Sequence, residues 1–231
     1  DDLAVSFSFF CAKRGFKCYI VTNKNNNPRN LELCEFFGAE IKIIDSDNYS
    51  DLLKEMEKIH LNLLNGGEKI EKINFFDDNL INKCYNNSIS KETKHQISVY
   101  GKNLKNIFLF KEDYILAESL KNEFPEVNIY AVDIKNNFFN FDKNRKKIIK
   151  SNNLFDSKKI KKDLFHEIID IKIDKVLENI KEVAKKSGLF MDYKTSATYL
   201  AAKEIPCFNN DVSLIFFYEN GERYLEELKR I

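Results

Sequence analysis

The 231-residue sequence contains only seven glycines, and none of them falls between Gly101 and Gly188. Turns that need a positive φ, and loops that wrap a phosphate with backbone N–H groups, are built mainly from glycine. The central part of the chain therefore lacks the residues from which a tight phosphate-binding loop is normally made.

Metal-binding spacing is also missing. The five cysteines are an odd number and include no CxxC pair, which excludes the common zinc motifs. The three histidines are scattered and accompany no partner motif. These patterns predict no metal site, and they favour small buried thiols in a reducing compartment.

The sequence has no excess of either sign of charge, because it contains 37 Lys and Arg residues and 36 Asp and Glu residues, for a net charge of +1. This balance argues against a general nucleic-acid or membrane-surface binder. No apolar run is long enough to span a bilayer, so we expect no membrane insertion. The first residues lack the basic head and cleavage site of a signal peptide, which predicts an intracellular protein in the cytoplasm or an organelle interior. Since the chain does not begin with Met, we expect it to be processed, trimmed or incomplete.

Apolar runs and helix-type periodicity alternate along the chain. Gly15 and Gly38 are expected to end helices, Pro28 to begin one, and Asn48 and Asp174 to cap two others. On the first helix, one apolar face is predicted to carry Leu3, Phe7, Phe10 and Cys11. Helices are predicted over 3–14, 28–38, 48–64, 89–101, 112–123, 174–188, 196–205 and 222–231. Strands are predicted over 17–22, 39–45, 105–110, 127–134, 166–172 and 211–218.

This alternation predicts parallel βαβ units, and hence an α/β protein with mostly parallel sheets and helices on their faces. We expect two lobes, an N-terminal α/β lobe over 1–88 and a C-terminal α/β lobe over 89–231. Residues 135–163 are rich in Asn and Lys and have poor periodicity, which predicts a loop-rich insert.

Three segments together resemble the cysteine synthase and cystathionine β-synthase family. The final "LIFFYENGERYLEEL" is similar to the family's strand that leads into a Ser-Gly-Glu-Arg-Tyr-Leu turn. "FFCAKRGFKCYIVT…LCEFFGAEIKII" resembles its N-terminal βαβ, and "IDIKIDKVLENIKEVAKKSGLFMDYKTSATYLAAKEI" resembles its helix, glycine, loop and Ala-rich helix. The resemblance implies the pyridoxal 5′-phosphate (PLP) fold type II, which is tryptophan synthase β-like, with the first lobe incomplete relative to the family.

The resemblance also assigns positions to the cofactor site. The family's Schiff-base lysine lies upstream of the first residue here, so no residue corresponds to it. The position of the family's Asn loop falls on Asp2, and its ring-nitrogen serine falls on Asn220. A further family loop, Gly-Ile-Ser-Ser-Gly, corresponds to 192–196 and contains Thr195. The remnant cofactor-binding positions, if PLP is retained, are therefore Asp2, Thr195 and Asn220.

The family's phosphate loop follows the strand that is predicted here over 105–110. The sequence at that point is "KEDYILAESL", without glycine and with Glu112 and Asp113 in the loop. At an effective dielectric constant of about 20, two like charges about 4 Å apart repel by roughly 4 kcal/mol. Lys111 offsets part of that repulsion. These residues predict that PLP is not bound.

Three functions remain open at this point. The first is a pseudoenzyme, a scaffold that has lost PLP and serves as a structural or interaction subunit, either as a homodimer or within a larger assembly such as an organellar, RNA-containing complex. The second is a PLP-dependent β-replacement enzyme whose lysine-bearing segment is missing from this chain. The third is a small-ligand sensor whose cleft is lined by Lys194, Thr195 and Asn220. Phe138, Phe139 and Phe141, followed by the basic stretch 143–147, are either a docking segment or a low-complexity insert.

Overall fold

The computed structural model describes residues 2–24, 26–73, 78–135 and 163–225. They form two compact units, the first made of the described residues up to 73 and the second of those from 78 onward. The division predicted from the sequence, 1–88 and 89–231, stays a prediction. The insert predicted at 135–163, with its candidate docking segment, lies outside the described residues except at its two ends.

The first unit alternates helices with two parallel strands. Its elements are α1 (Asp2–Arg14), β1 (Cys18–Asn23), α2 (Pro28–Phe36), β2 (Ala39–Ile44) and α3 (Tyr49–Asn65). The strands pair in parallel from Cys18 opposite Ala39 onward. As predicted, Pro28 begins α2 and the Asn48 side chain caps α3 by accepting a hydrogen bond from Ser50 N–H.

The core of the first unit is built from small side chains. Its buried residues are Cys11, Cys18, Cys34 and Ala39. The prediction for α1 was wrong in part, because Leu3 and Phe10 are 48% and 47% exposed. Ser8 is buried instead, where its small side chain allows α1 to approach β1 closely.

The second unit is a four-stranded, fully parallel sheet flanked by helices. Its strand order is β5-β4-β3-β6. This arrangement confirms the predicted α/β class with parallel sheets. The elements are α4 (Asp78–Asn87), α5 (Ile89–Tyr100), β3 (Asn103–Phe110), α6 (Tyr114–Glu123), β4 (Asn128–Lys135), β5 (Glu167–Lys172), α7 (Ile173–Ser187), α8 (Tyr193–Glu204), β6 (Asp211–Ile215) and a 3₁₀ turn (Gly221–Tyr224).

Successive side chains of β3 point to opposite faces and build two separate cores. Phe108 packs with α7 and α8 on one face, where it stacks on Tyr130 with ring centroids 4.9 Å apart. Ile107 and Leu109 pack on the other face with residues of α6, among them Leu116 and Leu120. The sheet is therefore covered on both faces, which is why its central strands are almost continuously apolar.

Several predicted boundaries were wrong. No helix was predicted over 78–87, but these residues form α4, whose Tyr85 packs against the core that contains Leu116 and Leu120 of α6. Helix α8 begins at Tyr193, before the predicted residue 196, because Asp192 caps it. Helix α7 begins at Ile173, so Asp174 lies in its first turn and is not the cap. Strand β6 ends at Ile215, three residues before its predicted end.

Candidate functional site

The candidate site lies at the carboxyl ends of β3 and β6. Strands β4 and β5 follow on one side of β3, whereas β6 lies on its other side, so the strand order reverses between β3 and β6. Ligands of open parallel sheets bind outside the carboxyl ends of the strands at such a reversal. Residues 111–113 follow β3 and residues 216–220 follow β6, and both segments end at this crevice.

The turn after β3 carries one base and two acids. Lys111 forms an ion pair with Asp133 of β4, and its N–H donates to Val132 O at 3.0 Å. Asp113 precedes α6, but its side chain makes no capping hydrogen bond. Its Oδ2 atom is buried without a hydrogen-bond partner among the described residues. Burial raises the pKa of Glu112 and of Asp113, although Lys194 opposes both shifts.

Tyr218 connects the two strand ends. Its hydroxyl oxygen accepts a hydrogen bond from Phe110 N–H at 2.9 Å, and the hydroxyl also interacts with the Asp113 carboxyl. Burial, with Asp113 as the next cause, raises the pKa of Tyr218. The phenol therefore stays protonated and fills space directly beyond β3.

Lys194 reaches into the same crevice from the first turn of α8. Its ammonium Nζ lies 3.9 Å from Glu112 Oε2. The same atom lies 5.2 Å from the ring centroid of Phe110 and 5.8 Å from that of Tyr218. One cation thus stands between a carboxylate and two aromatic rings, an arrangement that favours positive charge.

Asp192 holds both the backbone of Lys194 and the segment that follows β6. Its Oδ1 accepts hydrogen bonds from the N–H groups of Lys194 at 2.8 Å and Thr195 at 3.2 Å, the usual capping geometry. Its Oδ2 accepts from the Thr195 hydroxyl and from Glu219 N–H, the latter at 3.0 Å. The Thr195 oxygen in turn accepts from Tyr218 N–H at 2.9 Å. The start of α8 and the segment after β6 are therefore held together by two buried side chains.

The segment "NGERYL" forms a corner that rests on the strand-like segment before α8. Asn220 pairs with Met191 in an antiparallel bridge, and Gly221 N–H donates to Phe190 O at 2.9 Å. The Asn220 side chain accepts from Glu222 N–H at 3.2 Å. The backbone of this motif therefore lies close to the backbone of residues 190 and 191.

The three remnant cofactor positions fall in different places. Asp2 is the first residue of α1 in the first unit, whereas Thr195 and Asn220 belong to the second unit. The Thr195 hydroxyl is fully buried and the Asn220 side chain caps the 3₁₀ turn. Thr195 contacts the segment that contains Asn220 through Tyr218 N–H, and the role of both residues toward a cofactor stays a prediction.

Sequence reasoning missed Asp192 and Tyr218 as organising residues. Asp192 follows the strand-like "LFM" and stands two and three residues before Lys194 and Thr195, which is an N-cap signal that the sequence offered. No comparable signal marked Tyr218, because its hydrogen bond to Phe110 joins residues 108 positions apart.

The residues at the end of β3 do not fit the phosphate of PLP. Two carboxyls, Glu112 and Asp113, occupy the loop, and one of them has a buried oxygen without a hydrogen bond. The Phe110 N–H already donates to the Tyr218 hydroxyl oxygen, and Lys111 already forms an ion pair with Asp133. A phosphate dianion placed there would face both carboxyls, and at an effective dielectric constant of about 20 each like-charge contact at about 4 Å costs roughly 4 kcal/mol, which Lys194 offsets only in part.

No group of three or more His, Cys, Asp or Glu side chains that could hold a metal ion occurs within the described ranges. In the same ranges, no helix is both long enough and apolar enough to cross a membrane. All five cysteines are free; three are buried, Cys207 is half-buried and Cys84 is exposed.

Solved structures of one class are similar to almost the whole chain. O-ureido-L-serine synthase matches with a TM-score of 0.71 at 14% identity, over 96% of this chain and 71% of that one. O-acetyl serine sulfhydrylase isoform 3 from Entamoeba histolytica matches with a TM-score of 0.66 at 17% identity, over 99% and 69%. A hydrogen sulfide-producing enzyme from Fusobacterium nucleatum matches with a TM-score of 0.64 at 18% identity, over 96% and 76%. No protein-family model and no curated protein sequence matches the chain.

These similarities define the fold as an α/β architecture with parallel sheets that matches the tryptophan synthase β-like PLP fold type II enzymes. More particularly, the chain is structurally similar to cysteine synthase and O-acetylserine sulfhydrylase enzymes across nearly its whole length, which confirms the resemblance predicted from the sequence. At these low identities the similarity concerns the fold alone.

Proposed function

We propose that this protein is a non-catalytic, cysteine synthase-like pseudoenzyme that acts as a structural or interaction subunit of a larger assembly. The observation that carries the proposal is the crevice beyond β3, where Glu112 and Asp113 stand in place of a glycine-rich phosphate loop. Lys194 is their counter-charge within the chain, with its ammonium 3.9 Å from Glu112.

An exposed aromatic cluster in the first unit supports the interaction role. Phe9 is 52% exposed and Phe36 is 84% exposed. Both pack edge-to-face against Phe37, with ring centroids 5.5 and 5.8 Å from it. Large aromatic side chains left in solvent beside one another mark a surface for a partner. We call Phe9, Phe36 and Phe37 the aromatic patch.

The charges around the aromatic patch fit a second copy of this chain. The last turn of α1 is basic, with Lys13 and Arg14, whereas α2 exposes Glu32 and Glu35 beside Phe36. A twofold axis through the patch pairs the basic end of one α1 with the acidic face of the other α2. A homodimer is therefore the first assembly we propose, and a larger protein or RNA-containing assembly is the second.

A second candidate is a PLP-dependent β-replacement enzyme of the cysteine synthase type. It is favoured by the lengths of the matched structures, of which this chain covers 69% to 76%. In that candidate a lysine-bearing segment is absent from this chain. It requires that a phosphate bind beside Glu112 and Asp113, which is why we place it second.

The activity test uses the full natural chain with O-acetyl-L-serine and sulfide, with and without added PLP, and measures cysteine. We expect no cysteine above the background of PLP and buffer alone. An active cysteine synthase, assayed in parallel, shows that the conditions support the reaction. Cysteine formation that depends on both the protein and PLP would establish the second candidate instead.

A further inference from the structure

In the crevice of the second unit, one lysine ammonium lies near a carboxylate and two aromatic rings. The ammonium of Lys194 faces the Glu112 carboxylate at 3.9 Å and the rings of Phe110 and Tyr218 at 5.2 and 5.8 Å. We infer that this crevice is a primary-ammonium site whose occupant is the side chain of Lys194 itself. The inference rests on the proposed function, because it requires that the crevice hold a cation and not the phosphate of PLP.

Each wall of the site favours a positive charge. The faces of two aromatic rings attract a cation through their negative quadrupole. The Glu112 carboxylate supplies the opposite charge, with side-chain exposures of 18% for Glu112 and 28% for Lys194, so the pair is only partly screened by water. The Phe110 ring is carried by the last residue of β3, and the Tyr218 ring by the segment that follows β6.

An independent observation comes from Asp113. Its Oδ2 atom is buried and accepts no hydrogen bond from any described residue. A buried acceptor of this kind is stabilised by a nearby positive charge and destabilised by a negative one. The Asp113 carboxyl, which the Tyr218 hydroxyl also contacts, is a second acid at the end of β3, whereas a phosphate site would need positive charge there.

The backbone of Lys194 is fixed independently of its side-chain charge. Asp192 Oδ1 accepts the Lys194 N–H at 2.8 Å, which fixes the first turn of α8. Truncation of the Lys194 side chain leaves this capping bond in place. A Lys194→Ala variant therefore vacates the site while retaining the walls, and a small primary ammonium ion can enter.

The test measures the melting temperature (Tm) of Lys194→Ala with and without n-propylammonium, at constant ionic strength. We expect the substitution to lower the Tm by about 4 °C, and n-propylammonium to restore at least half of that loss in a saturable way. Wild-type protein, whose site is filled, serves as the first control and should show no saturable shift. Tetramethylammonium and inorganic phosphate are the comparison ions, and neither should restore the Tm. Equal effects of all ions, or restoration by phosphate, would overturn the inference.

A second measurement covers the case in which Lys194→Ala does not fold. In wild-type protein labelled with ¹³C-lysine, the ε-methylene protons of Lys194 should be shifted upfield by the two rings, away from those of the other lysines. Lys194→Met, which retains the apolar stem, assigns that signal by removing it, and Phe110→Leu should return it toward the common position. A Lys194 signal among the solvent-exposed lysines would contradict an occupied site. PLP binding is read from a separate titration, so failure of this inference is distinguishable from failure of the proposed function.

Discussion

The backbone of Gly221 lies against the side chain of Phe190. A Cβ atom added to Gly221 would lie 2.5 Å from Phe190 Cδ2 and 2.6 Å from Met191 O, while the Gly221 N–H already donates to Phe190 O. The requirement is for space, because the φ of Gly221 is not among the positive ones. The most recognisable motif of the sequence, "NGERYL", is therefore explained by packing.

Gly221→Ala should destabilise the protein by about 1–3 kcal/mol, since the contact involves backbone as well as a ring and cannot be relieved by one side chain. The free energy of unfolding in urea measures this. Gly101 is the matched control, because it has φ +59 and nothing within 4 Å of its added Cβ. Asn is tolerated in that left-handed conformation, so Gly101→Asn should cost much less than Gly221→Asn. Equal costs would contradict the steric explanation.

Asp192 should be the most sensitive polar residue of the second unit. Asp192→Ala removes the acceptor of three backbone N–H groups, on Lys194, Thr195 and Glu219. We expect a loss of about 2–4 kcal/mol, because buried donors are left without partners. The control is Asn48→Ala, which removes an exposed cap with one such bond and should cost only about 1 kcal/mol. A loss no larger than that of Asn48→Ala would show that the buried network adds nothing.

Asp113 should make the protein less stable as the pH rises. Burial raises its pKa in the folded protein, against the opposing effects of Lys194 and the Tyr218 hydroxyl. An acid whose folded pKa is raised binds its proton more tightly when folded, so stability falls as the pH rises above the unfolded value of about 4. Asp113→Asn removes this contribution. The variant should gain stability relative to wild type at neutral pH, and the gain should shrink toward pH 4. Urea titrations at a series of pH values measure the difference, and a loss that grows with pH would contradict the raised pKa.

The aromatic patch should govern self-association. Phe36→Ser removes the most exposed ring of the patch and should weaken dimerisation by about tenfold or more, as expected for loss of an aromatic anchor. Sedimentation equilibrium gives the dissociation constant. Phe208→Ser is the matched control, because Phe208 is 72% exposed but belongs to the second unit. A wild-type chain that stays monomeric at high concentration, or equal effects of both substitutions, would exclude the dimer proposed here.

The fold was predictable where local pattern and tertiary environment agree. The apolar strands β3 and β4 and the glycine-ended helix α7 are examples, since their burial in the sheet core leaves a strong periodicity. Helix α4 was missed because Asn and Lys surround its apolar residues Leu80, Ile81 and Tyr85. There, packing of a few side chains overrides weak helix propensity.

The site was predictable only in its charge. The acids after β3 and the missing glycines could be read directly from "KEDYILAESL". The arrangement of Tyr218, Asp113 and Lys194 could not, because these residues come together only when β6 and α8 pack beside β3. The resemblance to a family assigns the remnant cofactor positions, but it does not show which side chains lie at the end of β3.

The most direct test of the pseudoenzyme proposal is a PLP titration of the purified full natural chain, in which the near-visible absorbance band of lysine-bound PLP is measured. Borohydride reduction and mass spectrometry then report any covalent lysine adduct, and protein unfolded in urea shows the background from surface lysines. A pseudoenzyme should show no saturable band and no adduct above that background. A band that saturates at one PLP per chain, with a single reduced lysine adduct in the folded protein alone, would contradict the proposal.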